Sequence, residues 1–244
     1  MRSETRGDMK YSGLMTMPGG SYERISLDGV ITIDGDLDCD EIRTNGMITC
    51  TGKVKSKRGK LNGTASIKGR LESDELDSNG DLKVEDGMAV HELRIEGRIY
   101  VKGNVASENI DMKGEINING NCDAEALDCK GAFKIDGTLN AGDVDVDMYA
   151  PCRAKEIGGE KIRIHKGRKS IGVLTALFTP LIFGKTHLTV DMIEGDEISI
   201  DHTTAKVVRG GKVTIGDGCV VDLVEYRDNF EKASGARIKK YVKV

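Results

Sequence analysis

The chain contains no tryptophan, and only four phenylalanines and six tyrosines among 244 residues. An ordinary globular core relies on bulky rings and fits that composition poorly. No run reaches the roughly 18 apolar residues that a membrane-crossing helix needs. The opening stretch "MRSETRGDMKYSG" has no apolar h-region and no cleavage pattern, so secretion is not expected. The net charge is only −4, with charges of both signs well mixed, so nucleic acid is not an expected partner. Signatures of chemistry are missing too: there is no C-x-x-C, no H-E-x-x-H and no G-x-S-x-G. The "GKT" at Gly184, Lys185 and Thr186 fails as a phosphate loop, because Thr179 stands where the first glycine is required. No enzymatic activity, cofactor or metal is expected.

What the chain has in abundance is glycine, 31 residues of it, and the glycines are periodic. Gly29, Gly46, Gly63, Gly80, Gly97, Gly114 and Gly131 recur every 17 residues. A second column runs six places later from Gly35 to Gly137, with Asp86-Gly87 as its one irregularity. Apolar or small residues follow in pairs two apart, such as Ile31 and Ile33, Leu37 and Cys39, Ile42 and Thr44, and they repeat with the same period. A spacing of two is strand alternation, and the glycine columns fall at corners, where positive φ is cheap only for glycine. Three short strands and three corners per 17 residues predict an all-β fold, a β-helix whose rungs stack in parallel about 4.8 Å apart.

The expected organisation is a single domain with a flexible N-terminal segment over 1–18, rungs over 19–164, an insertion over 165–187, and rungs with a tail over 188–244. Tyr22, Ile25 and Leu27 belong to a partial rung at the start. Downstream, "GGKVTIGDGCVVDLVEY" returns to the pattern. Gly211 is expected in the first glycine place, and Val213, Ile215, Cys219, Val221, Val224 and Tyr226 in the six inward places. Phe230, Ala236, Ile238 and Tyr241 are expected to line a last, ragged rung. Cys39, Cys50, Cys122, Cys129 and Cys219 fall on inward columns and are expected to be reduced thiols packed as small hydrophobes. His91, His165, His187 and His202 show no metal-ligand spacing.

The segment "KIRIHKGRKSIGVLTALFTPLIFGK" breaks the repeat. Its cations include Lys166, Arg168 and Lys169, and its apolar run includes Val173, Leu174, Leu177, Phe178, Leu181, Ile182 and Phe183. The run is too short to span a bilayer, and Pro180 interrupts any helix. Three readings stand: packing on or capping the solenoid, docking a protein, or lying on a membrane surface with the cations toward anionic headgroups.

The acidic stretch "DGVITIDGDLDCDE" looks like a metal cage until it is read across rungs. Adding 17 sets Asp36 beside Lys53, Asp38 beside Lys55, Asp40 beside Lys57 and Glu41 beside Arg58, while Asp34 stacks on Thr51. Charge ladders that fix the register are the expectation there, not a metal.

A β-helix has two open ends with unpaired N–H and C=O groups, which must be capped or paired. Tyr22, Ile25 and Leu27 at one end, and Val224, Tyr226 and Phe230 at the other, are the residues nominated for end contacts. At this point the array, together with "GGSYERISLDG", "AKEIGGEKI", "AKVVRGGKVTIGDGC" and "DLVEY", resembles the bactofilin family in its longer Firmicute-type branch. The resemblance covers about 19–146 and 193–226. It implies a right-handed β-helix that self-assembles without nucleotide into nonpolar cytoskeletal filaments through its terminal rungs. It also implies a cytoplasmic location, often on the inner face of the membrane, with the chain itself, the membrane surface and cell-envelope or morphogenesis proteins as partners. Family members often carry an N-terminal apolar peptide, whereas here the main apolar segment is internal. The rival expectation is a soluble β-helical module that docks other proteins through one flank.

Overall fold

The computed structural model describes residues 7–167 and 186–244. They form strands β1 (Gly7–Cys50), β2 (Val54–Ile67), β3 (Leu71–Val84), β4 (Met88–Val101), β5 (Val105–Ile118), β6 (Cys122–Ile135), β7 (Thr138–Met148), β8 (Cys152–Arg153), β9 (Glu156–Lys166), β10 (Leu188–Ile200), β11 (Thr203–Ile215), β12 (Val220–Lys232) and β13 (Arg237–Lys243). Their parallel stacking makes the chain a β-solenoid with about 17 residues per turn, as the glycine period predicted. Two compact units make it up: Met1–Asp111 with Ile116–Gly120, and Met112–Glu115 with Asn121–Val244.

In the first unit the register is 17 at every step from Leu37 to Val101. Leu37 pairs with Val54, Val54 with Leu71, and Leu71 with Met88. The inward columns are buried, with Ile33 and Val84 fully shielded. A cross-rung bond inside the core joins the Ser56 and Ser73 hydroxyls at 2.9 Å. The corners are held from outside by an amide ladder: Asn45 donates to Asp28 at 2.8 Å, Asn62 to Asn45 at 2.8 Å and Asn79 to Asn62 at 3.1 Å.

The expectation of a flexible segment over 1–18 is corrected from Gly7 onward. Strand β1 begins there, and Met17 is 2% exposed. The corner at Gly13 stacks on the corner at Gly29, a step of 16 rather than 17, and that shift hid the rung from a fixed 17-residue register.

In the second unit the sides can be followed strand by strand. One column runs Cys122, Leu139, Ile157, Ile193, Val208, Val224, Tyr241. Another runs Leu127, Val144, Ile162, Ile198, Val213, Phe230. Val213 therefore stands on the third inward pair, not the first, and Val224 on the second, not the third. The sequence phase for this stretch was off by one side. The reason is arithmetic. From Leu188 to Thr203 the step is 15, because each of the three sides takes five residues. The 17-residue rung adds one residue at two corners. Later rungs regain extra residues at different corners, so the gap pattern four, three, four reappears on the wrong sides. Between Ile164 and its partner Ile200 the step is 36, which contains the insertion.

Candidate functional site

The nominated end residues separate into two groups. Ile25 and Leu27 are each 1% exposed, and Tyr22 is half-buried. Stepping back 16 residues from Ile25 and Leu27 reaches Met9 and Tyr11, both half-buried, so the first rung is built from the stretch after Gly7. Ile25 and Leu27 lie inside the stack and offer nothing to a partner. Val224 is likewise fully buried, beneath its register partner Tyr241.

Tyr226 and Phe230 do lie at the C-terminal rung. Their rings stack at 5.3 Å, and Phe230 meets Tyr241 at 5.1 Å. Tyr241 is 58% exposed, the most open of the three. In a chain with so few rings, this trio closes the last turn of the second unit with an aromatic plate. Sequence reasoning placed Tyr241 in a ragged rung and did not nominate it as a contact. The signal available was the tyrosine's inward phase on the final strand, two residues before Lys243.

The charge around the two terminal rungs differs. Residues 227–244 carry six cations against two acids, whereas 7–24 carry two of each. Lys239 pairs with Asp222 at 2.7 Å, and Arg227 with Asp196 at 2.7 Å. Arg237, Lys240 and Lys243 on β13 are exposed. An edge strand rich in lysine resists pairing with a like-charged edge.

Three of the four histidines gather beside the insertion. The Asp201 carboxylate takes His165 Nδ1 at 3.2 Å, His202 Nδ1 at 3.0 Å and the Lys166 backbone N–H at 2.8 Å. His187 Nε2 lies 2.7 Å from Thr204 Oγ1, and burial, with the nearby His202, lowers its pKa. His202 holds a φ of +45° because the corner between Ile200 and Thr203 has only two residues. Among the described residues no group of three or more His, Cys, Asp and Glu side chains is arranged to hold a metal ion. Of the residues nominated for membrane or partner contact, Lys166 is exposed. Arg168, Lys169, Val173, Leu174, Leu177, Phe178, Leu181, Ile182 and Phe183 lie outside the described residues. Among the described residues no helix is long and apolar enough to cross a membrane.

All six cysteines are buried and free. Burial pushes the Cys122 thiol up to about 12 and those of Cys152 and Cys219 up to about 11. Cys50 and Cys129 are raised for the same reason. Groups shifted this way are poor nucleophiles.

The acidic stretch resolves largely as ladders. Lys57 meets Asp40 at 3.0 Å, Arg58 meets Glu41 at 3.8 Å, and Thr51 donates to Asp34 at 3.0 Å. Asp36 differs in one respect, since its Oδ1 accepts from the Lys53 backbone N–H at 2.7 Å and caps the corner rather than the side chain. Sequence reasoning does not include the amide ladder, although asparagine at 45, 62 and 79 carries the same period.

A trough of about 890 Å³ crosses the second unit over Gly142, Gly158, Gly159, Gly195 and Gly210, with Glu156, Glu160 and Glu194 on its rim. Arg209 spans Glu194 and Glu225 there, at 3.5 and 2.7 Å.

Over 106 residues the chain is 31% identical to the uncharacterized protein YhbE of Bacillus subtilis (strain 168), covering 43% of this chain and 42% of that protein. It is 32% identical to the uncharacterized protein YhbF of the same organism over 106 residues, covering 43% and 41%. The chain thus spans about two fifths of the length of the curated relatives it matches. No family model matches it. No solved structure matches it either.

Proposed function

We propose that the chain is a non-enzymatic, bactofilin-like structural protein that self-assembles through its terminal rungs into nucleotide-independent filaments in the cytoplasm. The observation that carries this reading is the C-terminal rung, where an exposed aromatic plate lies beside the open edge of β13. Stacked rings that are half open to water gain by being covered, and an unpaired strand edge gains by being paired. The cations of that rung set the conditions. A contact between two such edges brings like charges together, so assembly rises as salt screens them. The basic and apolar insertion supplies a peripheral contact with the inner face of the membrane, and cell-envelope or morphogenesis proteins are the further partners.

Electron microscopy of the purified chain tests this. Filaments or sheets are expected without nucleotide, more of them at 0.5 M salt, where charges act over about 4 Å, than at 0.05 M, where they act over about 14 Å. Tyr241→Lys is expected to abolish them while leaving the circular dichroism spectrum intact. A wild-type chain that stays monomeric at high concentration in both salts overturns the reading.

The second reading is a soluble scaffold that docks other proteins along a flank. The trough over Gly158, Gly159 and Gly195 favours it, because a concave, glycine-floored surface admits a partner's backbone closely. A stable monomer with a saturable protein partner would decide for it.

A further inference from the structure

The first unit carries an outer face unlike the rest of its surface. Leu14, Val30 and Met47 are 80%, 46% and 51% exposed, half of the six large apolar side chains most open among the described residues. They are one column, each following a corner glycine, and the corners of Gly13, Gly29 and Gly46 stack directly. Two residues further along each strand stand Thr16, Thr32 and Thr49, and the next rung adds Thr64 and Ser66 in register with Met47 and Thr49. Eight outward positions on four successive rungs hold no charge. The pattern then stops, since Thr64 pairs with Asp81 and Ser66 with Lys83.

We infer that this face is a lateral contact between two copies of the chain. An uncharged sheet face of ladders about 4.8 Å apart meshes with an identical ladder, because both have the same spacing and neither brings a charge into the contact. An anionic bilayer is disfavoured. The flanking columns hold Asp28 on one side and Asp34 on the other, and no cation until Lys68. The footprint is small: four strands span about 14 Å and two outward residues about 7 Å, on the order of 100 Å². A lasting dimer buries about 800 Å² per partner. A single contact is therefore weak, and it gains strength when repeated along two assembled strands of subunits. In that respect the inference rests on the filament proposed above, and pairs or bundles of filaments are its visible form.

The six native thiols are buried, so one introduced cysteine reports on this face alone. Met47→Cys, treated with a short bismaleimide, is expected to give a covalent dimer. Arg98→Cys, in the same column but past the end of the uncharged face, is expected to give at least tenfold less. Adding Val30→Lys to Met47→Cys is expected to lower the yield by tenfold or more. The same pair of cysteine variants in a Tyr241→Lys background, at millimolar concentration, reads the lateral contact without end contacts. A preference for Met47→Cys there supports the face even if the wild-type chain forms no filaments. Equal yields from Met47→Cys and Arg98→Cys overturn it, even if single filaments form. Co-sedimentation of the wild-type chain with phosphatidylcholine vesicles, lost on Val30→Lys, would assign the face to lipid and also overturn it.

Discussion

Two glycines four residues apart on β2 are expected to respond very differently to the same added methyl group. Gly63 has a φ of +107°, and a Cβ there would press into the carbonyl of Gly46 on the preceding rung. Strain of that kind costs about 1–3 kcal/mol, and crowding against backbone, which cannot rotate away, costs a further 1–3 kcal/mol or so. The stiffer unfolded chain returns only about 0.4–1 kcal/mol. Gly63→Ala should therefore destabilise by about 1–5.6 kcal/mol, a sizeable part of the roughly 5–15 kcal/mol that holds a domain together. Gly59 faces inward on the same strand. Its Cβ would crowd only the Leu76 Cδ1 tip, at 2.7 Å, with Ile42 Cγ2 and Ser56 Oγ at an ordinary 3.7 Å, beside a void of about 20 Å³ lined by Ile42, Leu61 and Leu76. A leucine tip can turn, and a buried methyl contributes about 0.8 kcal/mol, so Gly59→Ala should fall within about 1 kcal/mol of wild type. Urea unfolding followed by far-ultraviolet circular dichroism measures both. A Gly63→Ala variant within 0.5 kcal/mol or so of wild type, or equal losses at both sites, would refute the stacked-corner reasoning.

Three further outcomes follow from the same geometry. Asn62→Ala removes the amide bonds to Asn45 and from Asn79 and should cost about 1 kcal/mol, measured by the same unfolding curves. The buried thiols, raised to about 11 or 12, hold protons that the unfolded chain releases above its ordinary thiol pKa near 8.5. Their stabilisation is present below about pH 8.5 and is lost as pH climbs toward 11. The urea midpoint should fall over that window, less steeply in Cys122→Ala, and Ellman's reagent should label the native chain at pH 8 only after denaturant is added. Deleting 171–183 should leave the circular dichroism spectrum unchanged and abolish co-sedimentation with anionic liposomes; unchanged sedimentation would remove the membrane role from that segment.

The period was legible because the glycines of the first array cannot be exchanged. A residue such as Gly63 is fixed by its corner, and each corner repeats at the same count. The thiols were legible too, since an inward column fixes their environment. The phase of the last rungs was not. Val213 and Val224 sit in pairs that look alike on every side, and only backbone pairing says which side is which. The first rung was hidden by a single missing residue between Gly13 and Gly29. That error moved the nominated contacts Ile25 and Leu27 one turn too far out. Phe230 kept its place at the C-terminal rung because no later strand among the described residues pairs with it, and Tyr226, in register with Lys243, stacks on its ring.

Sedimentation velocity of the purified full chain, without nucleotide and across a range of salt, tests self-assembly most directly. Polymers that sediment faster as salt rises, and that collapse to one slow species on Tyr241→Lys, are predicted. A single slow species at every salt and concentration would contradict the account.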